Sequence, residues 1–186
     1  QSKKFMPHFH IPLQSGSDVV LGKMKRRYNT KLYRNKINTI KKTIPNVCIG
    51  ADVIVGFPGE TQKEFNKTLN FIKDLPISYL HVFPYSEREN TPAILMSGIV
   101  DKQDRVSRSK QLRILSNKLQ RAFYEKYLNT EHTALFEQEE KKGYLSGLTD
   151  NYIKIKIPFT TEICKTKQQV RLMEINEDGI MKAELL

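Results

Sequence analysis

The sequence has 186 residues, of which 39% are apolar and 27% are charged, and these proportions exclude a disordered or fibrous chain. No apolar run approaches the roughly 18 residues of a membrane span, and the opening QSKKFMPH lacks the apolar stretch of a signal peptide. The two cysteines, Cys48 and Cys164, lack the C-x-x-C spacing of a self-contained zinc or iron–sulfur site and do not indicate a disulfide scaffold. We therefore expect a reduced, cytoplasmic compartment and no metal ligands in this chain.

The net charge of +11 is concentrated in one part of the chain. Residues 1–128 hold 23 basic and 10 acidic groups, whereas residues 129–186 hold 8 basic and 10 acidic groups. Basic side chains cluster at residues 23–27 and on a predicted helix that carries Arg105, Arg108, Lys110, Arg113 and Arg121. Such clusters indicate a polyanionic partner, because lysine and arginine release counterions when they neutralise phosphates. The alternative is that the charge serves solubility alone.

Three predicted strands, each followed by a helix, make up the first part of the chain. The strands are residues 8–14, which alternate in polarity, residues 47–55, a β-rich apolar run, and residues 78–85. Thr61-x-x-Glu64 is a capping box that predicts a helix start after the second strand. This order of elements indicates parallel strands with right-handed crossovers, which is an α/β fold.

A long helix is predicted from Asp101 to about Tyr127, and the pattern changes after it. Its predicted buried face carries Leu112, Leu115, Leu119, Ala122 and Phe123. Residues 132–138, 152–159 and 168–184 then indicate short strands around turns, which is typical of a small antiparallel barrel. We place a domain boundary near residue 129, between a domain of residues 1–128 and a domain of residues 129–186.

Polar and aromatic side chains recur on one face of the three predicted parallel strands. They are His8, His10 and Gln14 on the first strand, Asp52 on the second, and His81, Phe83 and Tyr85 on the third. Side chains in one phase on neighbouring parallel strands share a face, and α/β barrels build their sites near the carboxyl ends of such strands. The alternative for each residue alone is a hydrogen-bonded core group. The turn at residues 56–61 can also offer backbone amides to a ligand, although glycine often serves turn geometry only.

Three linked motifs in this order carry a resemblance to a known family. HFHIPLQSGSD with MKRRY, ADVIVGFPGET, and LHVFPYSERENTPA are similar to the closing barrel half of radical S-adenosylmethionine (SAM) methylthiotransferases. The segment after residue 129 resembles the TRAM domain that ends these enzymes. The resemblance implies the C-terminal half of a partial TIM-like (βα) barrel, followed by a small all-β, OB-like barrel.

The resemblance also implies a substrate class. The motifs are most similar to the branch that adds a 2-methylthio group to N6-threonylcarbamoyladenosine beside the tRNA anticodon. The isopentenyladenosine branch and the branch that modifies a ribosomal protein are alternatives. Partners implied are tRNA and SAM, with no membrane. Two hypotheses from other functional classes are a non-catalytic RNA-binding module and half of an unrelated metabolic barrel.

Site residues follow from the resemblance by position. Those expected at SAM are Gln14, Ser15, Asp52, Gly56 and Phe83. Those expected at the substrate or RNA are His10, His81, Arg88, Tyr152, Lys154 and Lys156. Arginine suits a carboxylate or phosphate because its guanidinium binds both oxygens, and a loop salt bridge is the alternative for Arg88. Residues 152–157 alternate, with the three isoleucines predicted in the core, and a tyrosine beside lysines on the outer face can stack a base and hold phosphates. An ordinary amphipathic strand is the alternative there.

Two departures from the family pattern matter. Asn90 stands where the family usually has glycine, and we expect the turn to survive because Asn tolerates positive φ best after Gly. The family's CxxxCxxC loop, which holds the catalytic [4Fe–4S] cluster, is absent from these residues, and two cysteines cannot replace it. We therefore expect a fragment that does not catalyse alone, with the cluster ligands outside this chain. An open sheet edge at residues 8–14 predicts self-association or another cover.

Overall fold

The computed structural model describes residues 5–141 and 143–186. The strands are β1 (His8–His10), β2 (Cys48–Val55), β3 (Tyr79–Pro84), β4 (Glu131–Lys141), β5 (Tyr144–Thr149), β6 (Lys154–Pro158), β7 (Lys167–Ile175) and β8 (Met181–Leu185). The helices are α1 (Asp18–Lys23), α2 (Thr30–Thr43), α3 (Gln62–Lys73) and α4 (Lys102–Glu125), with a 3-10 turn at Pro92–Leu95. The described chain forms two compact units, one of residues 9–45 and 49–119 and one of residues 5–8, 46–48 and 120–186. Together they make a mixed α/β protein with a parallel sheet and a closed barrel.

The sheet has the strand order β1-β2-β3. Strands β2 and β3 pair in parallel, with Asp52 directly opposite His81. The predicted first strand is shorter than expected and ends at His10. The chain nevertheless continues along β2, where the Leu13 N–H donates to the Asp52 carbonyl and Gln14 forms a parallel bridge with Val53.

Apolar side chains from β2 and the helices form the core of this unit. The fully buried residues include Leu13, Ile37, Ile49, Ala51, Val53, Val55, Phe65 and Ile72. The apolar run of β2 is thus buried, as expected for a central strand between two others. Helix α3 begins as predicted directly after its N-cap residue Thr61, whose hydroxyl accepts the Glu64 N–H at 3.4 Å.

Helix α4 differs from its predicted pattern in two ways. Leu112 and Phe123 are buried as expected, but Ala122 is exposed, so the predicted apolar face is not continuous. Arg105 and Arg108, which the charge pattern indicated as part of a phosphate-binding surface, are instead buried. They are held by acidic partners and carbonyl groups elsewhere in the chain, so they are not available to a polyanion.

The second part of the chain contains a closed five-stranded barrel in the order β4-β5-β6-β8-β7. Strand β5 was not predicted, because Ser146 and Gly147 weaken its β pattern. Gly147 is required there, since a Cβ would lie 2.9 Å from the Leu135 carbonyl oxygen. The barrel was predicted to be antiparallel, but β6 and β8 pair in parallel.

Its interior is filled by apolar side chains from the five strands and from Ile153. They are Ala134, Phe136, Leu145, Ile153, Ile155, Ile157, Val170, Leu172 and Met181. The alternation predicted for β6 is confirmed, with Ile155 and Ile157 inside. Among the described helices, none combines the length and apolar character needed to cross a membrane.

Candidate functional site

Three neighbouring strands bring together two histidines and one aspartate. His10 lies on β1, Asp52 on β2 and His81 on β3. His10 Nε2 is 2.6 Å from Asp52 Oδ1, and His81 Nδ1 is 3.4 Å from the same oxygen. The two imidazole rings are 4.7 Å apart between centroids. We call these three residues the His–Asp–His cluster; its side chains are partly exposed to solvent.

Tyr79 supports the cluster from one side. Its hydroxyl oxygen is 3.3 Å from His10 Nδ1, the ring nitrogen that faces away from Asp52. The ring of Tyr79 lies over Gly50, where a Cβ would be only 2.2 Å from Tyr79 Cζ. Gly50 is therefore needed for Tyr79 to approach the cluster. Sequence reasoning missed both residues, although a glycine inside an apolar strand is the signal for such a close approach.

Phe83 continues the same face of β3 beyond His81. Half of its surface is exposed, and its ring is edge-on to that of His81 at 6.5 Å. An exposed aromatic ring beside a polar cluster can stack against a planar ligand. His10, Asp52, His81 and Phe83 therefore share one open face, whereas His8 stacks on Tyr152 and Tyr85 packs against Phe57.

Gln14 and Ser15 follow β1 but point in different directions. Gln14 has a positive φ of 67°, and its side-chain oxygen accepts a hydrogen bond from Arg26 at 3.2 Å. Ser15 is fully buried, and its hydroxyl is 3.1 Å from Thr68 Oγ1 on α3. The Ser15 hydroxyl thus contacts the protein interior, away from the open face.

The rest of the QSGSD motif also packs onto α3. The Gly16 N–H donates to Thr68 Oγ1 at 3.1 Å, and a Cβ on Gly16 would lie 2.8 Å from Thr68 Cα. The Ser17 hydroxyl donates to the Glu64 carboxylate. That hydrogen bond, together with Lys67, holds the pKa of Glu64 below its usual range. Part of this motif therefore serves to fix the turn.

The turn after β2 is fixed by a buried carboxylate. Gly56 has a φ of +76°, and its N–H donates to Glu60 Oε2 at 2.7 Å. Arg108 donates to the same carboxylate at 2.8 Å. Burial raises the pKa of Glu60, while the Gly56 N–H and Arg108 oppose that rise. The Gly56 N–H is thus already hydrogen-bonded to Glu60 inside the protein.

The loop after β3 carries Arg88 and Asn90. Arg88 is exposed, and its carbonyl accepts the Thr91 hydroxyl at 2.8 Å. Asn90 has a φ of 63°, which confirms the expectation that asparagine can hold this turn in place of glycine.

Tyr152, Lys154 and Lys156 belong to the unit that contains the barrel. Tyr152 has a φ of 68° and stacks on His8, with ring centroids 3.7 Å apart. Lys154 is exposed, whereas Lys156 pairs with Asp178 and lies 5.1 Å above the Tyr144 ring. The three do not form one uniform surface, because Lys156 is already neutralised by a carboxylate.

A cavity of about 730 Å³ adjoins the stacked pair in the same unit. His8 and Tyr152 line it, together with Leu135, Leu148 and Lys167. Its walls are mostly apolar, and Lys167 and Asp150 add one basic and one acidic group, which suits a small ligand with both apolar and polar parts. This cavity could not be predicted from the sequence, because its walls come from segments far apart in the chain.

Comparisons with known proteins agree with the motifs. Residues 2–72 match the model of the Radical SAM superfamily. A threonylcarbamoyladenosine tRNA methylthiotransferase of Bacillus subtilis is 38% identical over 178 residues, which are 94% of this chain and 40% of that protein. One of Aquifex aeolicus is 41% identical over 154 residues, 83% of this chain and 36% of that protein.

A relative from another branch is similar to a comparable degree. The tRNA-2-methylthio-N(6)-dimethylallyladenosine synthase of Clostridium tetani is 42% identical over 149 residues, 79% of this chain and 33% of that protein. The chain therefore spans about 40% or less of the length of these curated relatives. It is a relative of the radical SAM tRNA methylthiotransferases, and the resemblance indicated by its three motifs is confirmed.

Proposed function

We propose that this chain acts within a tRNA methylthiotransferase that adds a 2-methylthio group to N6-threonylcarbamoyladenosine beside the anticodon by radical SAM chemistry. The observation that carries the proposal is the open face of β1–β3, where His10, Asp52 and His81 converge and Phe83 remains exposed. Two relatives that span most of this chain are named for that reaction. A relative named for dimethylallyladenosine keeps the isopentenyl substrate as the alternative.

Different residues at this face suit different parts of SAM. The Phe83 ring can stack on the adenine, and the Gln14 amide can hydrogen-bond to the ribose or the methionine end. Asp52 lies on the strand between them. Ser15 and Gly56 act indirectly in this proposal, because their polar groups are engaged by Thr68 and Glu60. When bound, SAM is the precursor of the radical and the source of the methyl group. These side chains bind and orient it.

The cysteines do not fit a [4Fe–4S] cluster. The chain has only Cys48, which is buried, and Cys164, whose Sγ is 3.5 Å from the Thr160 carbonyl oxygen. A cluster needs three or more thiolates. We therefore assign the cluster ligands of the proposed enzyme to residues outside this chain, and infer that these 186 residues do not catalyse alone.

The proposed architecture has two domains. Residues 1–128 form the closing half of a radical SAM barrel, in which an edge of the three-stranded sheet is covered by the remaining half or by a second copy. Residues 129–186 form a TRAM domain that grips tRNA. The closed five-stranded barrel and the exposed Lys154 support that assignment, with Arg88 proposed to contact substrate from the loop after β3. The proposed compartment is the cytoplasm.

Mass spectrometry of tRNA nucleosides tests the proposal. Cells with and without the gene that encodes this sequence are compared for both methylthio nucleosides. Loss of 2-methylthio-N6-threonylcarbamoyladenosine alone supports the proposed substrate. Loss of the isopentenyl form instead assigns the alternative substrate, and unchanged levels of both overturn the tRNA methylthiotransferase assignment.

A second candidate is a non-catalytic RNA-binding module, favoured by the closed barrel and the net charge of +11. It predicts salt-sensitive tRNA binding by the chain, without any change in tRNA nucleosides when the gene is removed. The two candidates therefore differ in the nucleoside measurement and agree in the binding measurement. Absence of tRNA binding at low salt would contradict this second candidate.

A further inference from the structure

We infer that the His–Asp–His cluster is a binding site for a divalent transition-metal ion of the Zn²⁺ type. His10, Asp52 and His81 each offer one ligand atom, and these atoms all lie within 4.8 Å of one another. No metal ligands were expected from the sequence, because Cys48 and Cys164 lack the spacing of a metal site. This inference concerns the same open face as the proposed function, but its test requires neither SAM nor tRNA.

The distances within the cluster can be compared with those of a metal shell, and the ligand atoms of His10 and His81 lie within 4.8 Å of each other. Zn²⁺ binds imidazole nitrogen and carboxylate oxygen at about 2.0–2.2 Å, so two ligand atoms in a tetrahedral shell lie roughly 3.3–3.6 Å apart. Asp52 Oδ1 and His81 Nδ1 are already 3.4 Å apart. The 2.6 Å between Asp52 Oδ1 and His10 Nε2 must widen by less than about 1 Å, which a small side-chain rotation supplies.

The ligand types favour a borderline cation. Two imidazoles and one carboxylate suit Zn²⁺ and neighbouring first-row ions better than Mg²⁺ or Ca²⁺, which prefer oxygen ligands. The three strands supply three ligands, which leaves a fourth position for water or an exogenous ligand. His81 has 55% of its side chain exposed, so an ion can reach the cluster from solvent.

Tyr79 provides the hydrogen bond that a metal-binding histidine needs. Histidine ligands usually engage their second ring nitrogen with a hydrogen-bond partner, which fixes the tautomer and the ring orientation. His10 Nδ1 is 3.3 Å from the Tyr79 hydroxyl oxygen. When Nδ1 donates its proton to that oxygen, the lone pair of Nε2 points into the cluster. Gly50 leaves room for the Tyr79 ring in this position, because a Cβ there would lie 2.2 Å from Tyr79 Cζ.

The neighbouring strands also hold the ligands in register. Asp52 and His81 are direct partners in the parallel pair β2–β3. The Leu13 N–H donates to the Asp52 carbonyl at 3.1 Å, and the Ile11 N–H donates to the Gly50 carbonyl at 2.9 Å. The three ligands are therefore carried by hydrogen-bonded strands, which position a site better than loops do.

Zinc titration of the 186-residue chain, after chelator treatment and followed by NMR of the histidine rings, tests the inference. The chain has four histidines, so each ring signal can be assigned by substitution. We expect one Zn²⁺ per chain, with the ring signals of His10 and His81 shifting and those of His8 and His132 unchanged. Shifts at His8 or His132 instead, or no binding below about 0.1 mM Zn²⁺ (~5.5 kcal/mol of binding), overturn it.

Variants separate a metal site from a hydrogen-bonded cluster. Calorimetric titration with Zn²⁺ should show that Asp52→Asn and His81→Ala each weaken binding at least about 100-fold, and that Tyr79→Phe weakens it about 10-fold, as removal of an outer hydrogen bond does. His8→Gln removes a histidine outside the cluster and should leave the affinity unchanged. Equal affinity in all four variants would show that Zn²⁺ binds elsewhere and would overturn the inference. Far-UV circular dichroism of each variant confirms that the fold persists.

Discussion

Arg108 on α4 and Glu60 in the turn after β2 form an ion pair that is almost completely withdrawn from solvent. Arg108 Nη1 donates to Glu60 Oε2 at 2.8 Å and to the Glu60 carbonyl oxygen at the same distance. The same carboxylate oxygen accepts the Gly56 N–H. One buried acid therefore fixes both the helix and the glycine turn that follows the central strand.

Breaking this pair from one side should destabilise the fold strongly. Arg108→Met leaves the Glu60 carboxylate buried without its cation, which costs about 3–5 kcal/mol in the free energy of unfolding. Urea unfolding followed by circular dichroism measures the loss. Adding Glu60→Gln should recover part of it, because the uncompensated charge is then removed.

Arg121→Met is the matched control for that experiment. Arg121 is also on α4, but its pair with Glu125 is exposed, so its loss should cost less than about 1 kcal/mol. Equal destabilisation by Arg108→Met and Arg121→Met would contradict the importance assigned to the buried pair.

Any side chain at position 56 should destabilise the fold. Gly56→Ala forces alanine into φ +76° and places its Cβ 2.4 Å from Arg105 Cγ. Gly179 has the same φ of +76°, but nothing lies within 4 Å of a Cβ built there. Gly179→Ala should therefore cost only about 1–2 kcal/mol of left-handed backbone strain, and Gly56→Ala about 1–3 kcal/mol more from overpacking. Thermal unfolding of both variants checks the difference, and equal costs would refute the steric argument.

The sequence was sufficient to predict where the polar side chains of the three parallel strands meet. The alternation rule places His10, Asp52 and His81 in one phase, and strand pairing then requires them to converge. The turn at Asn90 was predictable for a similar reason, because positive φ depends on the local residue type. Both predictions rest on backbone geometry, which short-range patterns determine.

What the sequence could not predict depends on contacts between distant residues. Arg108 looked like part of a basic surface, since its partner Glu60 is 48 residues away. Ser15 looked accessible, but Thr68, 53 residues further along, draws its hydroxyl inward. A pattern of single residues contains no information about such pairs. Strand β5 was not predicted because its local pattern is weak. Its pairing with β4 and β6 compensates for that weak pattern.

The pair between Arg105 and Glu87 should make stability depend on pH in the acid range. The Arg105 guanidinium, 2.6 Å from the Glu87 carboxylate, lowers the pKa of Glu87 to about 2. A carboxyl whose folded pKa lies below its unfolded value stabilises the fold above the unfolded pKa of about 4.3. That stabilisation is lost as the pH falls from about 5 towards 2, because the folded state must then take up the proton.

Glu87→Gln isolates this contribution. At pH 7 the unchanged chain should unfold at a higher urea concentration than the variant, and the gap between the two midpoints should close as the pH approaches 2. A gap that stays constant from pH 7 to pH 2 would show that the carboxylate charge of Glu87 does not contribute to stability.

Lys154 should contribute to tRNA binding if the barrel grips the RNA backbone as proposed. The residue is exposed at the start of β6, whereas Lys182 on β8 is already paired with Glu174. Lys154→Ala should weaken tRNA binding and reduce the slope of log K against log salt by roughly 0.7–0.9, the change for one lost phosphate contact. Lys182→Ala removes the same formal charge from the barrel and should change the slope less, because its carboxylate partner competes with phosphate. Filter binding across a salt series distinguishes the two variants. An unchanged slope for Lys154→Ala, or equal slopes for both variants, would remove Lys154 from the proposed RNA contact.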